Sequence, residues 1–217
     1  AAAGLDADWL AQVQANAGVA TESALRWAGA SMTARHLAAE LQESADRMSA
    51  LVGAVKSYAY MDRGALVAVD VREGLDATVT ILGHKLKQTA IEIVRDYDPD
   101  LPPVTVRGSE LNQVWTNLID NAIDALGEQG TITLTTRRDG SCVEVDIADD
   151  GPGIPDDVAP QVFDPFYTTK GVGAGTGLGL DTARRIVEER HTGTLRFDTG
   201  PQGTTFHVRL PLEGTAR

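Results

Sequence analysis

The segment from Glu110 to Leu126 constrains the fold of this chain more than any other. Leu111, Val114, Trp115, Leu118, Ile119, Ala122, Ile123 and Leu126 recur at helical spacing and make one broad apolar face. A face that wide must bury against a sheet. Ser109 is read as the N-cap and Gly127 as the stop. Beside the apolar face runs a second stripe, Glu110, Gln113, Asn117, Asn121 and Asp124. A polar stripe is ordinarily the solvated side of a surface helix. Here it borders the buried face directly, and asparagine is a poor helix former. Two asparagines one turn apart suit a site where amide oxygens converge on a metal or a phosphate. On this helix alone both readings stand.

The surrounding chain supplies the sheet. Val67 to Val71 reads as a strand leading into a helix from Arg72 to Leu86, and Ala90 to Tyr97 as a second strand. Val104 to Val106 is a short extended piece after Pro102-Pro103. Thr131 to Arg138 and Ser141 to Ala148 alternate around Asp139-Gly140, the pattern of a tight hairpin. Leu178 to Phe197 passes from helix through His191 to strand, and Thr204 to Leu210 is the last strand, across the turn Gly200 to Gly203.

Before Asp62-Arg63-Gly64 the character differs. Alanine dominates and strand signals are absent, with a short helix over Leu5 to Ala15 ending near Gly18, then a longer one from Thr21 to Met61. Trp27, Ala30, Ala34, Leu37, Leu41, Ser44, Met48, Leu51, Val55 and Tyr58 form a heptad seam along it. Gly29 and Gly53 weaken that helix by about 1 kcal/mol each relative to alanine. The seam predicts either an intramolecular helical hairpin or a dimerising bundle. The expected division is a helical region at 1–63 and an α+β domain at 64–217.

Composition narrows the partners. A net charge of −12 over 217 residues argues against nucleic acid or anionic membrane as the main partner. Cys142 is the single cysteine, so no internal disulfide forms, and a cytoplasmic setting is expected. No apolar run approaches the ~18 residues of a membrane span, and no signal peptide is read. The chain begins at Ala1 rather than Met and is expected to be a piece of a longer protein.

Two glycine-containing segments carry the chemistry. Asp149-Asp150-Gly151-Pro152-Gly153-Ile154 follows a strand directly, setting an acid beside glycines that let backbone approach a ligand. Gly-Pro-Gly would also satisfy a plain turn. Gly171 to Leu180 is glycine-rich and ends by opening a helix, which offers free N–H groups to a polyphosphate, with Lys170 just before it. A flexible linker has similar composition.

The order of these pieces is more specific than any one of them. Asn117-Leu-Ile-Asp-Asn121-Ala, Asp149-x-Gly-x-Gly153, Phe163-Asp-Pro-Phe166-Tyr-Thr-Thr-Lys170, Gly175-Thr-Gly-Leu-Gly179-Leu and Gly203-Thr-Thr205 follow one another along the chain. The series resembles the boxes of the histidine-kinase-type ATPase family, which includes gyrase, the Hsp90 chaperones and the mismatch-repair ATPases. The resemblance covers residues 64 to 212. It implies a two-layer α/β sandwich (the Bergerat fold), a mixed sheet on one side and helices on the other, with ATP between the helices under a lid. It further implies that Asp149 accepts the adenine amino group, with Thr205 supporting the same corner. Asn117 and Asn121 would meet the phosphates and Mg2+, Asn121 as the metal contact. Gly151 and Gly153 would let the base approach. Lys170 with Gly175, Thr176, Gly177, Leu178 and Gly179 would form the lid and phosphate loop. Phe163 and Phe166 would be lid anchors or ordinary core.

Within the family, hydrolysing members carry a glutamate where this chain has Asn117. A neutral amide cannot act as the base that water attack needs, whereas a neutral imidazole nitrogen is already nucleophilic. The resemblance therefore implies a histidine kinase acting with a response regulator or phosphorelay protein. The upstream region departs from the pattern. His36, in Thr33-Ala-Arg-His-Leu, is the only histidine before the α/β domain, and it lacks the acid and the proline that follow a kinase phosphoacceptor. It is either the acceptor or a surface residue beside the seam. His84, His191 and His207 lack ligand spacing and suggest no metal site. Two functions stay open: a phosphotransferase, or an ATP-binding interaction module with a degenerate helical region that signals by nucleotide-dependent shape.

Overall fold

Asp70 sets the first boundary of the α/β unit. Its side chain accepts the Arg72 N–H at 3.0 Å and caps a helix, so strand β1 stops at Val69 instead of running to Val71. The Arg72 guanidinium also bonds this carboxylate and holds its pKa below the usual aspartate range. The structure, a computed structural model, describes residues 12, 26–38, 41, 66–87, 89–170 and 176–213. The chain separates into two units, Ala1–Ala50 and Leu51–Arg217.

In the larger unit the elements run β1 (Val67–Val69), α1 (Val71–Leu86), β2 (Ala90–Tyr97), β3 (Val104–Val106) and α2 (Gly108–Leu126). They continue with β4 (Gln129–Asp139), β5 (Cys142–Asp149), α3 (Gly179–Arg185), β6 (Thr194–Gly200) and β7 (Gly203–Pro211). Five strands form one mixed sheet in the order β2-β4-β5-β7-β6, with β2 parallel to β4 and the other neighbours antiparallel. β1 and β3 make a separate two-stranded ribbon. This is the expected α+β sandwich.

Parity along the strands decides which side chains face the helices. Ile132 and Leu134 on β4, Val143, Val145 and Ile147 on β5, and Phe206, Val208 and Leu210 on β7 point inward and are buried. Against them lie Leu111, Val114, Trp115, Leu118 and Ile119 of α2, each within 1% of complete burial. Each such side chain contributes about 1.5–3 kcal/mol by leaving water. Gly127 ends α2 at a φ of 70°, and its N–H returns to the Ile123 carbonyl. The start differs from expectation. Arg107, not Ser109, stands at the N-cap, without a side-chain cap bond, and its N–H donates to Nε2 of His191 at 3.1 Å. His191 reaches that position after a π-helical turn at Ile186–Arg190, and its Nδ1 meets the Ile186 carbonyl at 2.9 Å. With one ring nitrogen donating and the other accepting, His191 is a buried structural histidine.

In the smaller unit, residues 26–38 are helical. Trp27, Ala30, Ala34 and Leu37 of the seam are exposed, as is Leu41. His36 is exposed on the same stretch. Of the expected helix over Leu5 to Ala15 only Gln12 is described, and it is helical, whereas the seam from Ser44 to Tyr58 and the boundary at residues 63–64 lie outside the described residues. No helix among the described residues is long and apolar enough to cross a membrane.

Candidate functional site

A cleft of about 440 Å3 opens between α2, the end of β5 and the segment leading into α3. Its size lies within the range of small-molecule sites. Asn117, Asn121, Asp149, Gly153, Lys170, Thr176, Gly177 and Gly179 all line it. Residues far apart in sequence thus converge on one space, and the α2 polar stripe divides: Asn117, Asn121 and Asp124 face the cleft, whereas Glu110 pairs with Arg190 and neither it nor Gln113 lines it.

Asp149 forms the floor. As the last residue of β5 it inherits the inward parity of Val143, Val145 and Ile147, so its carboxylate is buried. Burial pushes its pKa above the usual aspartate range, opposed by the Gly151 N–H donating to Oδ1 at 3.1 Å. Thr204, directly opposite on β7, shares the inward face. Thr205 pairs with Ala148 on the outer face and does not line the cleft. The structure thus places Thr204, rather than Thr205, beside Asp149. Alternation from Phe206, Val208 and Leu210 is the sequence pattern that identifies it.

The loop after Asp149 interlocks with the β6–β7 turn. A Cβ on Gly153, whose φ is 75°, would stand 2.0 Å from the Gly200 carbonyl oxygen. In the other direction, a Cβ on Gly203 would stand 1.8 Å from the Asp149 carbonyl oxygen. Thr199 Oγ1 joins the two segments by accepting the Ile154 N–H at 2.7 Å. Close backbone packing, in addition to any ligand, therefore requires these glycines.

At the opposite end, Asn117 Nδ2 donates to the Gly179 carbonyl at 2.9 Å and fixes the start of α3 against α2. Lys170 is ion-paired with Asp124, and its Nζ lies 3.5 Å from Asn121 Oδ1. Lys85 of α1 is ion-paired with Asp120, whose hydrogen bond raises the lysine pKa. Gly151 and Leu178 adjoin the cleft without lining it, and Gly175 lies outside the described residues. Ile154 and Leu180, which end two of the motif segments, add apolar wall, as does Phe206, which lies just past the last box and outside the motifs.

The two phenylalanines separate. Phe163 packs edge-on against Phe197 at 5.7 Å, under the Arg184 guanidinium, and belongs with the core. Phe166 is 75% exposed, while its N–H donates to the Gly177 carbonyl and ties the two ends of the intervening loop together.

A family model described as histidine kinase-, DNA gyrase B- and HSP90-like ATPase matches residues 107–214, from the start of α2 past the end of β7. The catalytic domain of histidine kinase ThkA superposes with a TM-score of 0.63 at 30% identity, covering 68% of this chain and 96% of that domain. The chain belongs to this ATPase family. Among histidine kinases, NtrB of Rhodobacter capsulatus is 41% identical over 133 residues, 55% of this chain and 37% of NtrB. ZraS of Escherichia coli strain K12 is 31% identical over 185 residues, 85% of this chain and 39% of ZraS. The chain spans less than half the length of either curated relative. ThkA solved in complex with response regulator protein TrrA shares the fold, with a TM-score of 0.59 at 24% identity, covering 77% of this chain and 49% of that one. The α/β unit is a histidine-kinase-type ATP-binding catalytic domain, and the cleft lies between its helices as the family fold implies.

One group on the outer sheet face of this ATPase domain escapes sequence reading. Glu144, Asp146 and His207 bring ligand-type atoms within 4.8 Å of one another, although His207 has no ligand spacing in the sequence. β5 and β7 supply them from paired positions. Arg137 bonds both carboxylates and already supplies the positive charge that a cation would bring.

Proposed function

We propose that this chain is the ATP-binding catalytic portion of a two-component sensor histidine kinase, transferring the γ-phosphate of ATP to a histidine. The observation that carries the proposal is the nature of position 117. A neutral amide stands there with its N–H committed to Gly179. The nearby carboxylates Asp120 and Asp124 both pair with Lys85 of α1, so neither is a free base for water attack. That chemistry favours transfer to imidazole over hydrolysis.

In this reading Asp149 accepts the adenine amino group, with Thr204 beside it, and Lys170 with Thr176 to Gly179 contacts the phosphates. Oxygen donors suit Mg2+, and Asn121 would hold it through its amide oxygen against the phosphates. Bound Mg2+ would neutralise charge on the transferring phosphoryl group. Asn121→Ala should weaken Mg-ATP binding about five- to tenfold and leave adenosine binding unchanged. Equal losses for both ligands in calorimetry would make the stripe a structural feature.

The exposed Trp27, Leu37 and Leu41 support a homodimer through the seam. Light scattering should give a dimer for the wild type, and a monomer that still binds ATP once Leu41 and Met48 are both glutamate. A wild-type monomer at high micromolar concentration would remove the dimer from the proposal. A response regulator or phosphorelay protein is the proposed partner, as TrrA is for ThkA, and the cytoplasm the proposed location.

Transfer of label from γ-labelled ATP tests the function. The chain alone should accumulate little acid-labile label, because His36 lacks the neighbouring acid that orients and polarises an acceptor ring. Label appearing on an added partner histidine supports a kinase acting on another protein. Label near one per chain that vanishes in His36→Gln places the acceptor within this chain. No label under any condition sinks the kinase and leaves a nucleotide-gated interaction module.

A further inference from the structure

The amino group expected to meet the phosphates already has an anionic partner. Lys170 is ion-paired with Asp124 on α2, and both side chains line the cleft. Asp124 also lies 3.5 Å from Nζ of Lys85 on α1, which is ion-paired with Asp120. Two lysines and two aspartates thus form a charge-balanced row along the wall that carries Asn117 and Asn121. A carboxylate in that row opposes an incoming polyphosphate by occupying the cation the anion needs, while its own charge is offset by Lys85.

We propose that Asp124 is a positioning residue that holds Lys170 against α2 before nucleotide enters and surrenders it to the polyphosphate of ATP. The inference rests on the ATP-binding reading of the cleft. Three observations make the exchange feasible. The Lys170 and Asp124 side chains are 34% and 33% exposed, so water screens their pairing and the bond is readily traded. A polyphosphate offers more charge and several acceptor oxygens, which a lysine prefers over one carboxylate. Lys85 remains beside Asp124, so the carboxylate is not left unpaired next to the phosphates. Asp124 therefore weakens ATP binding while keeping Lys170 at the cleft wall, where the amide oxygen of Asn121 is 3.5 Å away.

A double-mutant cycle read by calorimetry at low ionic strength tests this. Asp124→Asn should tighten ATP binding about three- to fivefold and leave adenosine binding unchanged. Lys170→Met should weaken ATP binding about tenfold, and adding Asp124→Asn to it should change nothing further. Thermal melts should match the wild type in both variants, since Lys85 keeps Asp120 as its partner. Unchanged or weakened ATP binding in Asp124→Asn overturns the proposal, as does equal tightening with and without Lys170. Weakening confined to Mg-ATP, with metal-free ATP unaffected, would instead make Asp124 a metal ligand. Wild-type protein that binds adenosine and ATP equally poorly would sink the ATP reading itself, a result distinct from all of these.

Discussion

Replacing Asp149 with asparagine should weaken ATP binding by about 1.5–3 kcal/mol, or roughly 10- to 100-fold, without destabilising the fold. The two effects diverge because of how the carboxylate is placed. One oxygen, Oδ1, is occupied by the Gly151 N–H. An asparagine oxygen takes over that bond, which turns the amide NH2 toward the position where the adenine amino group would donate. A donor then faces a donor. Guanine presents a carbonyl at the same position and would face the wild-type carboxylate as acceptor against acceptor, so ATP should be preferred over GTP. For stability the sign is reversed. Burial raises the folded-state pKa of Asp149 above its unfolded value. Ionisation therefore costs stability in full above the folded pKa, and the cost fades as pH falls from there to the unfolded pKa, below which it is gone. Asparagine removes that cost at neutral pH, so the melting temperature should hold or rise. Wild-type affinity in this variant would take Asp149 out of the base pocket.

Gly203→Ala should be the most damaging single substitution in the cleft region, costing more than about 3 kcal/mol. Its φ of 130° belongs to a region that is largely reserved for glycine, worth about 1–3 kcal/mol by itself. The added methyl would also sit 1.8 Å from the Asp149 carbonyl oxygen, so backbone must move. The backbone that moves is the one carrying the floor of the cleft. A fall in melting temperature of about 6–12 °C is expected for a domain of this size, together with a loss of ATP affinity. A variant that melts within 2 °C of the wild type would mean that the β6–β7 turn yields freely and does not brace Asp149.

Period and punctuation made most of the fold legible. The apolar spacing of α2 with Gly127 behind it, and the alternation around Asp139-Gly140, each correspond to an element within one or two residues of its expected bounds. Errors arose where a tertiary partner replaced a local one. Ser109 is a good cap by composition, yet the chain entering α2 is held by His191, far away in sequence. The cleft was legible where a motif names both ends, as with Asn117 and Gly179, and illegible where strand parity decides. Thr205 was expected at the Asp149 corner although Phe206 beside it is inward, which makes Thr204 the inward residue. The Lys85–Asp120–Asp124–Lys170 row joins α1, α2 and the loop after Phe166, and no spacing along one helix reveals it.

β5 is paired along its whole length on both sides, to β4 and to β7. Shifting it by a single residue would exchange Asp149 for Ala148 at the floor of the cleft and turn the carboxylate out to solvent, while Val143, Val145 and Ile147 left the core together. Such a slip must break two ladders and empty a core at once. The chemical identity of the cleft floor is therefore stored as an odd–even choice in a three-strand pairing, protected by every inward side chain on the strand, and insertions are tolerable in the loops at either end but not between Val143 and Asp149.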